Sequence, residues 1–134
     1  MGARQRTNLT AEELRYIKFR SISLRNFGVR LMLELFTMDE LLDTNTNVMG
    51  QPCGKGPEME PLDPDRMFEI KDICLSYVES TNLKVLSSEW RKIRDAMSKK
   101  LSQLRKEAEQ RRLIRRAVIR EIIDQERHEE SQYE

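Results

Sequence analysis

Apolar residues recur at three- and four-residue spacing along most of this chain, the spacing that aligns side chains on one face of an α-helix. The first such segment opens at Thr10 with Glu13 three residues later, and this pair is a capping-box pattern for a helix start. A second segment, from about residue 24 to residue 36, is apolar around most of its circumference. A helix of that kind is typical of the centre of a core.

Capping and breaking residues mark two further helices. Thr37 and Glu40 form another capping-box pattern, which predicts a short third helix. Residues 50–61 are rich in Gly and Pro and poor in apolar side chains, so we expect an exposed loop there. Asp63 as an N-cap and Pro64 at the first helical position predict a fourth helix, which should end between residues 78 and 80.

The C-terminal half of the chain should be helical, because every Gly and Pro lies at or before Pro64. We expect Ser87 or Ser88 to cap the last domain helix. One face of this helix carries an apolar stripe that begins with the only tryptophan of the chain: Trp90, Ile93, Met97, Leu101 and Leu104. The opposite face is basic and polar: Lys92, Asp95, Lys99, Ser102, Gln103 and Lys106.

A second apolar patch lies further along the same segment, at Leu113, Ile114, Ala117 and Val118. On a straight helix this patch would centre nearly half a turn away from the Trp90 stripe, since each residue advances by about 100°. The segment therefore either breaks near residues 106–110 or packs this patch on a different partner. Together these patterns predict an all-α fold, a compact bundle of about five helices with a long basic C-terminal helical region.

The net charge of +1 conceals a strong partition along the chain. Residues 90–120 carry 12 Lys or Arg against 3 Asp or Glu, a net charge of +9. Residues 1–35 carry +4, whereas residues 36–89 and 121–134 carry −7 and −5. A basic block of this density can bind a polyanion locally although the whole protein is nearly neutral. The alternative, on charge alone, is a solvated helix surface.

The sequence lacks the usual patterns of a catalytic site. It has a single His, His128 in an acidic segment, and no Gly-rich phosphate loop followed by Lys and Ser or Thr. Its two cysteines, Cys53 and Cys74, lack metal-ligand spacing, and we expect both to be free thiols. We therefore expect no enzyme, no cofactor and no metal site. The lack of a long apolar run favours an intracellular protein without a membrane partner.

Three stretches of the chain stand out in order: FGVRLMLELFTMDELLDTNTNVMG, then EPLDPDRMFEIKDICLSYV, then SEWRKIRDAMSKKLSQLRK. Together they resemble the BEN domain, a helical module of animal chromatin proteins and some viral proteins. The recognisable pieces lie at residues 35–37, 40–42 and 61–64 and in a basic final helix led by an aromatic residue. The resemblance covers about residues 23–107. Residues 1–22 are then an N-terminal helical extension, and residues 108–134 a charged C-terminal helical extension.

This resemblance implies a five-helix or similar α fold that binds double-stranded DNA, often as a homodimer. The last domain helix would enter the major groove, with nearby loops at the DNA backbone or the minor groove. The resemblance also implies a location in the nucleus and transcriptional repression, with corepressor or chromatin proteins as further partners. Carried onto this chain, the DNA-contacting helix is the one that begins near Ser88.

The residues of that helix supply both kinds of DNA contact. Lysines suit the phosphates, whose neutralisation releases condensed counterions: Lys92, Lys99, Lys100 and Lys106. Short polar groups and Arg side chains suit base edges: Arg91, Arg94, Asp95, Ser98, Ser102 and Gln103. For each of them the alternative is a solvated surface residue. We expect Trp90, at the head of the apolar stripe, to lie in the core.

A second basic cluster adjoins the apolar residues of the C-terminal extension: Arg111, Arg112, Arg115 and Arg116. This mixture suits a DNA-contacting extension, a partner helix, or a dimer seam flanked by ion pairs such as Arg120 with Asp124. Of these three we favour the partner helix. The competing function for the chain is a protein-interaction or oligomerisation module of a chromatin-associated adaptor, in which the basic side chains only solvate the helix or form ion pairs.

Overall fold

The computed structural model describes residues 9–50 and 58–133. Within this part of the chain there are five helices: α1 Ala11–Arg20, α2 Leu24–Leu35, α3 Met38–Leu42, α4 Pro64–Leu75 and α5 Leu83–Tyr133. Two short strands, β1 Thr46–Asn47 and β2 Glu60–Pro61, pair in parallel. The predicted all-α bundle with a long C-terminal helix is confirmed, and the sequence did not indicate the small strand pair.

Helix starts follow the capping residues of the sequence. Thr10 Oγ1 accepts a hydrogen bond from the amide of Glu13 at 3.1 Å, and Thr37 Oγ1 accepts one from the amide of Glu40 at 3.2 Å. In both boxes the Glu carboxylate in turn accepts a hydrogen bond from the backbone amide of the Thr. Asp63 caps α4, whose first turn contains the predicted proline. The starts of these three helices therefore depend on capping residues within a few positions along the chain.

Helix α5 differs from its prediction in start and continuity. It begins at Leu83 instead of near Ser88, because the Asn82 side chain accepts hydrogen bonds from two amides of the first turn, at 2.9 and 3.4 Å. It also continues unbroken through residues 106–110 and runs for 51 residues, a length of about 77 Å. No Gly or Pro interrupts it. Helix α4, in turn, ends at Leu75, earlier than predicted.

The core forms where α2 packs against α4 and α5. Its most deeply buried side chains come from these helices and from α3: Phe27, Leu31, Met32, Leu41, Ile70, Cys74, Ile93 and Met97. Trp90, which is 9% exposed, lies at the edge of this core, so the predicted apolar stripe of α5 is confirmed. Gly28 brings α2 close to α5, because a side chain at this position would overlap Ile93.

Cys74 is a free thiol within the core. Burial raises the pKa of its thiol to about 12, so the side chain stays neutral at physiological pH. The prediction of a free thiol is confirmed for Cys74. Cys53 and residues 51–57 of the predicted loop lie outside the described residues.

Arg66 of α4 binds both the end of α2 and helix α3. Its guanidinium donates two hydrogen bonds to the Glu40 carboxylate, at 2.9 and 2.5 Å, and one to the Asp63 carboxylate at 2.8 Å. It also donates to the carbonyl oxygen of Leu35, the last residue of α2, at 3.0 Å. The charge of this buried arginine is therefore balanced by two carboxylates, as a buried cation requires.

The two ends of the described chain differ in how they meet the bundle. No side chain of α1 is fully buried, but Leu9, Leu14 and Ile17 pack partly against the core. Every residue of α5 from 109 to 132 is exposed. The N-terminal segment thus lies on the bundle, whereas α5 extends beyond it.

Candidate nucleic-acid interface

The predicted DNA-contacting residues all lie on α5, between Arg91 and Lys106. The opposite side of this part of α5 is held in the core by Trp90, Ile93, Met97 and Leu101, each 9% exposed or less. Since one side is fixed, the direction of the other side is fixed relative to the bundle. We call that outer side the basic face, and each of its side chains is exposed: Lys92, Asp95, Lys99, Ser102, Gln103 and Lys106.

Three lysines lie in a row along the basic face. Lys92, Lys99 and Lys106 are seven residues apart, so they point in nearly the same direction and follow one another at about 10.5 Å along the helix. Lys92 Nζ lies 3.4 Å from Glu89 Oε1, and both side chains are partly exposed to solvent. An ion pair of this kind is weak, so Lys92 can exchange Glu89 for another anion.

The remaining predicted residues lie on the flanks of this face. Arg91 and Ser98 are exposed, whereas Arg94 and Lys100 are half-buried. Arg94 lines an apolar groove between α4 and α5 together with Phe68. Its Nε atom is buried and has no hydrogen-bond partner among the described residues. The structure thus brings all the predicted side chains except Arg94 and Lys100 to an exposed surface.

The loop that follows β1 borders the basic face. Asn47 and Met49 line a groove of about 390 Å³ whose other wall includes Ser98 and Ser102 of α5. The Asn47 side chain accepts a hydrogen bond from the amide of Gly50, which has a left-handed backbone with φ +76°. The tip of this loop is accessible, because the Met49 side chain is 63% exposed.

Arg105 belongs to the same basic segment, but its side chain makes hydrogen bonds to other elements of the fold. Its guanidinium donates to the carbonyl oxygens of Leu41 and Asp43, at 3.0 and 2.7 Å, and so ties the end of α3 to α5. Burial lowers the pKa of this guanidinium, whereas the Asp43 carboxylate raises it. These contacts join residues 62 and 64 positions apart, and no local pattern distinguishes Arg105 from its basic neighbours.

A second groove, of about 530 Å³, runs along the C-terminal half of the basic face. Besides predicted residues, it is lined by Glu107 and Gln110, which the sequence prediction did not include. Gln103 Nε2 donates to Glu107 Oε1 at 3.0 Å. Both residues follow a predicted one by four positions, at Gln103 and Lys106, so extending the helix without a break would have found them.

No helix in the described part of the chain is both long and apolar enough to cross a membrane. Likewise, residues 9–50 and 58–133 hold no group of three His, Cys, Asp or Glu side chains placed to bind a metal ion.

Comparison of the chain with protein-family models, with curated proteins and with solved structures finds no match. The resemblance to the BEN domain is a resemblance of sequence motifs within residues 23–107.

Proposed function

We propose that this chain binds double-stranded DNA sequence-selectively through the basic face of α5. As part of the same proposal it acts in the nucleus as a transcription regulator, a repressor that works as a homodimer with corepressor or chromatin proteins. One observation carries the DNA-binding part: an exposed row of lysines lies on a helix whose other side is buried in the core. The BEN resemblance supports the regulatory part.

The dimensions of α5 suit the major groove of B-form DNA. The groove is about 12 Å wide and admits one α-helix, whose diameter with side chains is about 10–12 Å. Lys92, Lys99 and Lys106 would neutralise phosphates, which gives affinity without sequence preference. The loop around Met49 lies beside the helix, where the DNA backbone or the minor groove would pass.

Selectivity is assigned to the short polar side chains between the lysines. Gln103 can pair with adenine through two hydrogen bonds, and Asp95 can accept one from the amino group of cytosine. Ser102 can donate to or accept from either kind of base edge. Ser98 lies on the flank of the basic face that borders the loop, and it would reach the edge of the same site. Arg91 lies exposed near the start of α5, seven residues earlier on the same flank, and would contact the DNA there.

The test compares two triple variants that lose the same charge. Lys92→Ala, Lys99→Ala and Lys106→Ala together should leave the melting transition intact. They should weaken binding to all duplexes and reduce the slope of log affinity against log salt by up to about three. The control, Arg15→Ala, Arg20→Ala and Arg25→Ala, removes three charges from α1 and α2 and should keep the parent slope. If the lysine variant binds random duplex as tightly as the parent across a salt series, α5 is not the DNA face at these positions, and the Arg111–Arg116 cluster becomes the candidate.

The competing function, a protein-interaction module, is favoured by the exposed apolar side chains of α5 beyond the bundle. Titration of the parent protein with random duplex at physiological salt separates the two functions. Nonspecific DNA binders have dissociation constants of about 1–100 µM under such conditions. A chain that shows no binding in that range is an adaptor, and the DNA proposal fails.

A further inference from the structure

The part of α5 beyond the bundle, residues 109–132, is here called the α5 tail. It holds six large apolar side chains that are each 44–64% exposed: Leu113, Ile114, Val118, Ile119, Ile122 and Ile123. A helix that packs on nothing is only marginally stable in water, and large apolar side chains exposed in such number commonly mark an interaction site. We therefore expect the tail to pack on a partner surface.

The order of apolar residues in the tail is symmetric about Val118. Each apolar residue before Val118 has a counterpart at the same distance after it: Leu113 with Ile123, Ile114 with Ile122, and Ala117 with Ile119. No other apolar residue lies between residues 109 and 127. Two identical helices that run antiparallel and meet at Val118 would place every apolar residue level with another apolar residue.

The charges of the tail have the opposite symmetry. Residues 111–116 carry a net charge of +4, and residues 121–130 carry −4. Across Val118, two positions of opposite charge correspond, Arg115 with Glu121 and Arg112 with Asp124. An antiparallel pair lays each basic half beside an acidic half, whereas a parallel pair would lay like charges together. The charge pattern thus selects a second copy of this chain, in the antiparallel orientation.

The helical positions of the three central residues agree with such a contact, whereas Leu113 and Ile123 lie about 140° from Val118 and remain outside it. Ile114 and Ile122 lie about 40° to either side of Val118, so the three side chains form the centre of one face. The symmetry creates one like-charged pair between residues 109 and 127, Arg116 with Arg120. These two arginines lie about 160° from Val118, and they would point away from the partner helix into solvent.

We infer that the α5 tail is a self-association surface, on which two copies of this chain pair their tails antiparallel about Val118. This self-association surface would be the contact of the homodimer in the proposed function, and in that respect the inference rests on the proposed function. The pairing itself does not depend on DNA binding. The pairing covers residues 109–127, a length of about 28 Å, and its two-fold axis passes Val118. The two basic faces then lie about 57 Å apart along one rod, at opposite ends of the dimer.

Charge reversal in the full-length chain tests the pairing by sedimentation equilibrium. The parent should be a dimer. A first variant, R111E/R112E/R115E, and a second, E121K/D124K/E126K, should each have a dissociation constant at least about tenfold higher than the parent. An equimolar mixture should restore a dimer with one copy of each, because the reversed halves complement one another. Failure of the mixture to restore it, or parent-like association of either variant, overturns the inference.

A matched control separates this inference from the proposed function. The variant K92E/K99E/K106E carries the same number of reversed charges on the same helix, but outside the tail. It should remain a dimer and lose binding to DNA. A dimeric K92E/K99E/K106E protein that still binds DNA contradicts the proposed function alone, and a monomeric parent that binds DNA contradicts the pairing alone. In the second case a helix of a different protein would be the partner.

Cysteine substitutions test the orientation, in a chain with Cys53→Ser. In the antiparallel pair Ile114 of one copy lies level with Ile122 of the other, and the two Ile114 side chains are about 12 Å apart along the axis. On mild oxidation, Ile114→Cys mixed with Ile122→Cys should give a disulfide-linked heterodimer, and Ile114→Cys alone should remain unlinked. Linked dimers from Ile114→Cys alone would indicate a parallel pair and overturn the inferred orientation.

Discussion

Gly28 of α2 lies so close to Ile93 of α5 that a methyl group on Gly28 would overlap the Ile93 Cγ2 atom. The contact joins the two helices that form most of the core. Since Ile93 shares the apolar stripe of α5 with Trp90 and Met97, the same contact fixes the direction of the basic face.

Gly28→Ala should therefore destabilise the fold by about 1–3 kcal/mol, because the added methyl group pushes α2 from α5. The loss is expected although Ala is favoured over Gly in a helix by about 1 kcal/mol. Urea unfolding measures the change. In a chain that already carries Ile93→Ala, the Gly28→Ala substitution should cost less, since the overlapping methyl group is absent. An unchanged or higher stability of Gly28→Ala in the parent would contradict the close packing.

Trp90→Ala should lower the free energy of unfolding by about 3–5 kcal/mol, because it leaves a cavity at the head of the apolar stripe. The matched control is Leu83→Ala on the same helix, whose side chain is 77% exposed, and it should change stability by less than about 0.5 kcal/mol. Thermal melts of both variants measure the difference. A melting temperature of Trp90→Ala within a few degrees of the parent would refute the core position of this side chain.

The Arg66–Glu40 pair should make the fold sensitive to acid. Hydrogen bonds from the Arg66 guanidinium hold the pKa of the Glu40 carboxylate at about 2, below its ordinary value of 4.5. The folded state therefore favours the ionised form, so its stabilising effect is complete above about pH 5 and is lost as the pH falls from there toward 2. Because the Glu40 side chain is 34% exposed, we expect only about 1–2 kcal/mol from it.

Glu40→Gln should accordingly destabilise the protein at pH 7 and flatten the dependence of stability on pH between 5 and 2. Chemical unfolding at a series of pH values compares the variant with the parent. Parallel curves for the two proteins over this range would show that Glu40 does not titrate with folding.

Removal of all residues after Lys106 should leave a folded domain, because the tail is exposed throughout and Leu104 is the last residue of α5 that packs on the core. The Arg105 contacts to Leu41 and Asp43 remain in the shortened chain. Its melting transition should stay cooperative. A broad transition without a cooperative step would show that the tail is needed to fold the bundle.

Ser102→Ala and Gln103→Ala together should reduce selectivity more than affinity. These side chains can pair with base edges but contribute little to the attraction of phosphates. Competition between a preferred site, selected from random duplexes, and unselected duplex measures the ratio of affinities. That ratio should fall while binding to unselected duplex stays near the parent value. An unchanged ratio would assign base recognition to other residues.

The sequence alone determined where most helices begin and which side of α5 faces the core. Thr10, Thr37 and Asp63 act on amides within three residues, and the stripe from Trp90 to Leu104 follows from helical periodicity. Both patterns involve only residues close together in sequence, so they can be recognised without knowledge of the fold. The opposition of an apolar and a basic face on α5 is the same kind of signal.

Only the tertiary structure decided which basic residues remain at the surface and how far α5 runs. Arg66 and Arg105 are held by carboxylate and carbonyl groups on other elements, and Arg94 lines an apolar groove, whereas Lys92 and Lys99 stay exposed. The drift of the apolar pattern beyond residue 106 suggested either a break or a second partner, and the helix does not break. The physical reason is that these outcomes depend on contacts between residues far apart in sequence, which periodicity and capping do not record.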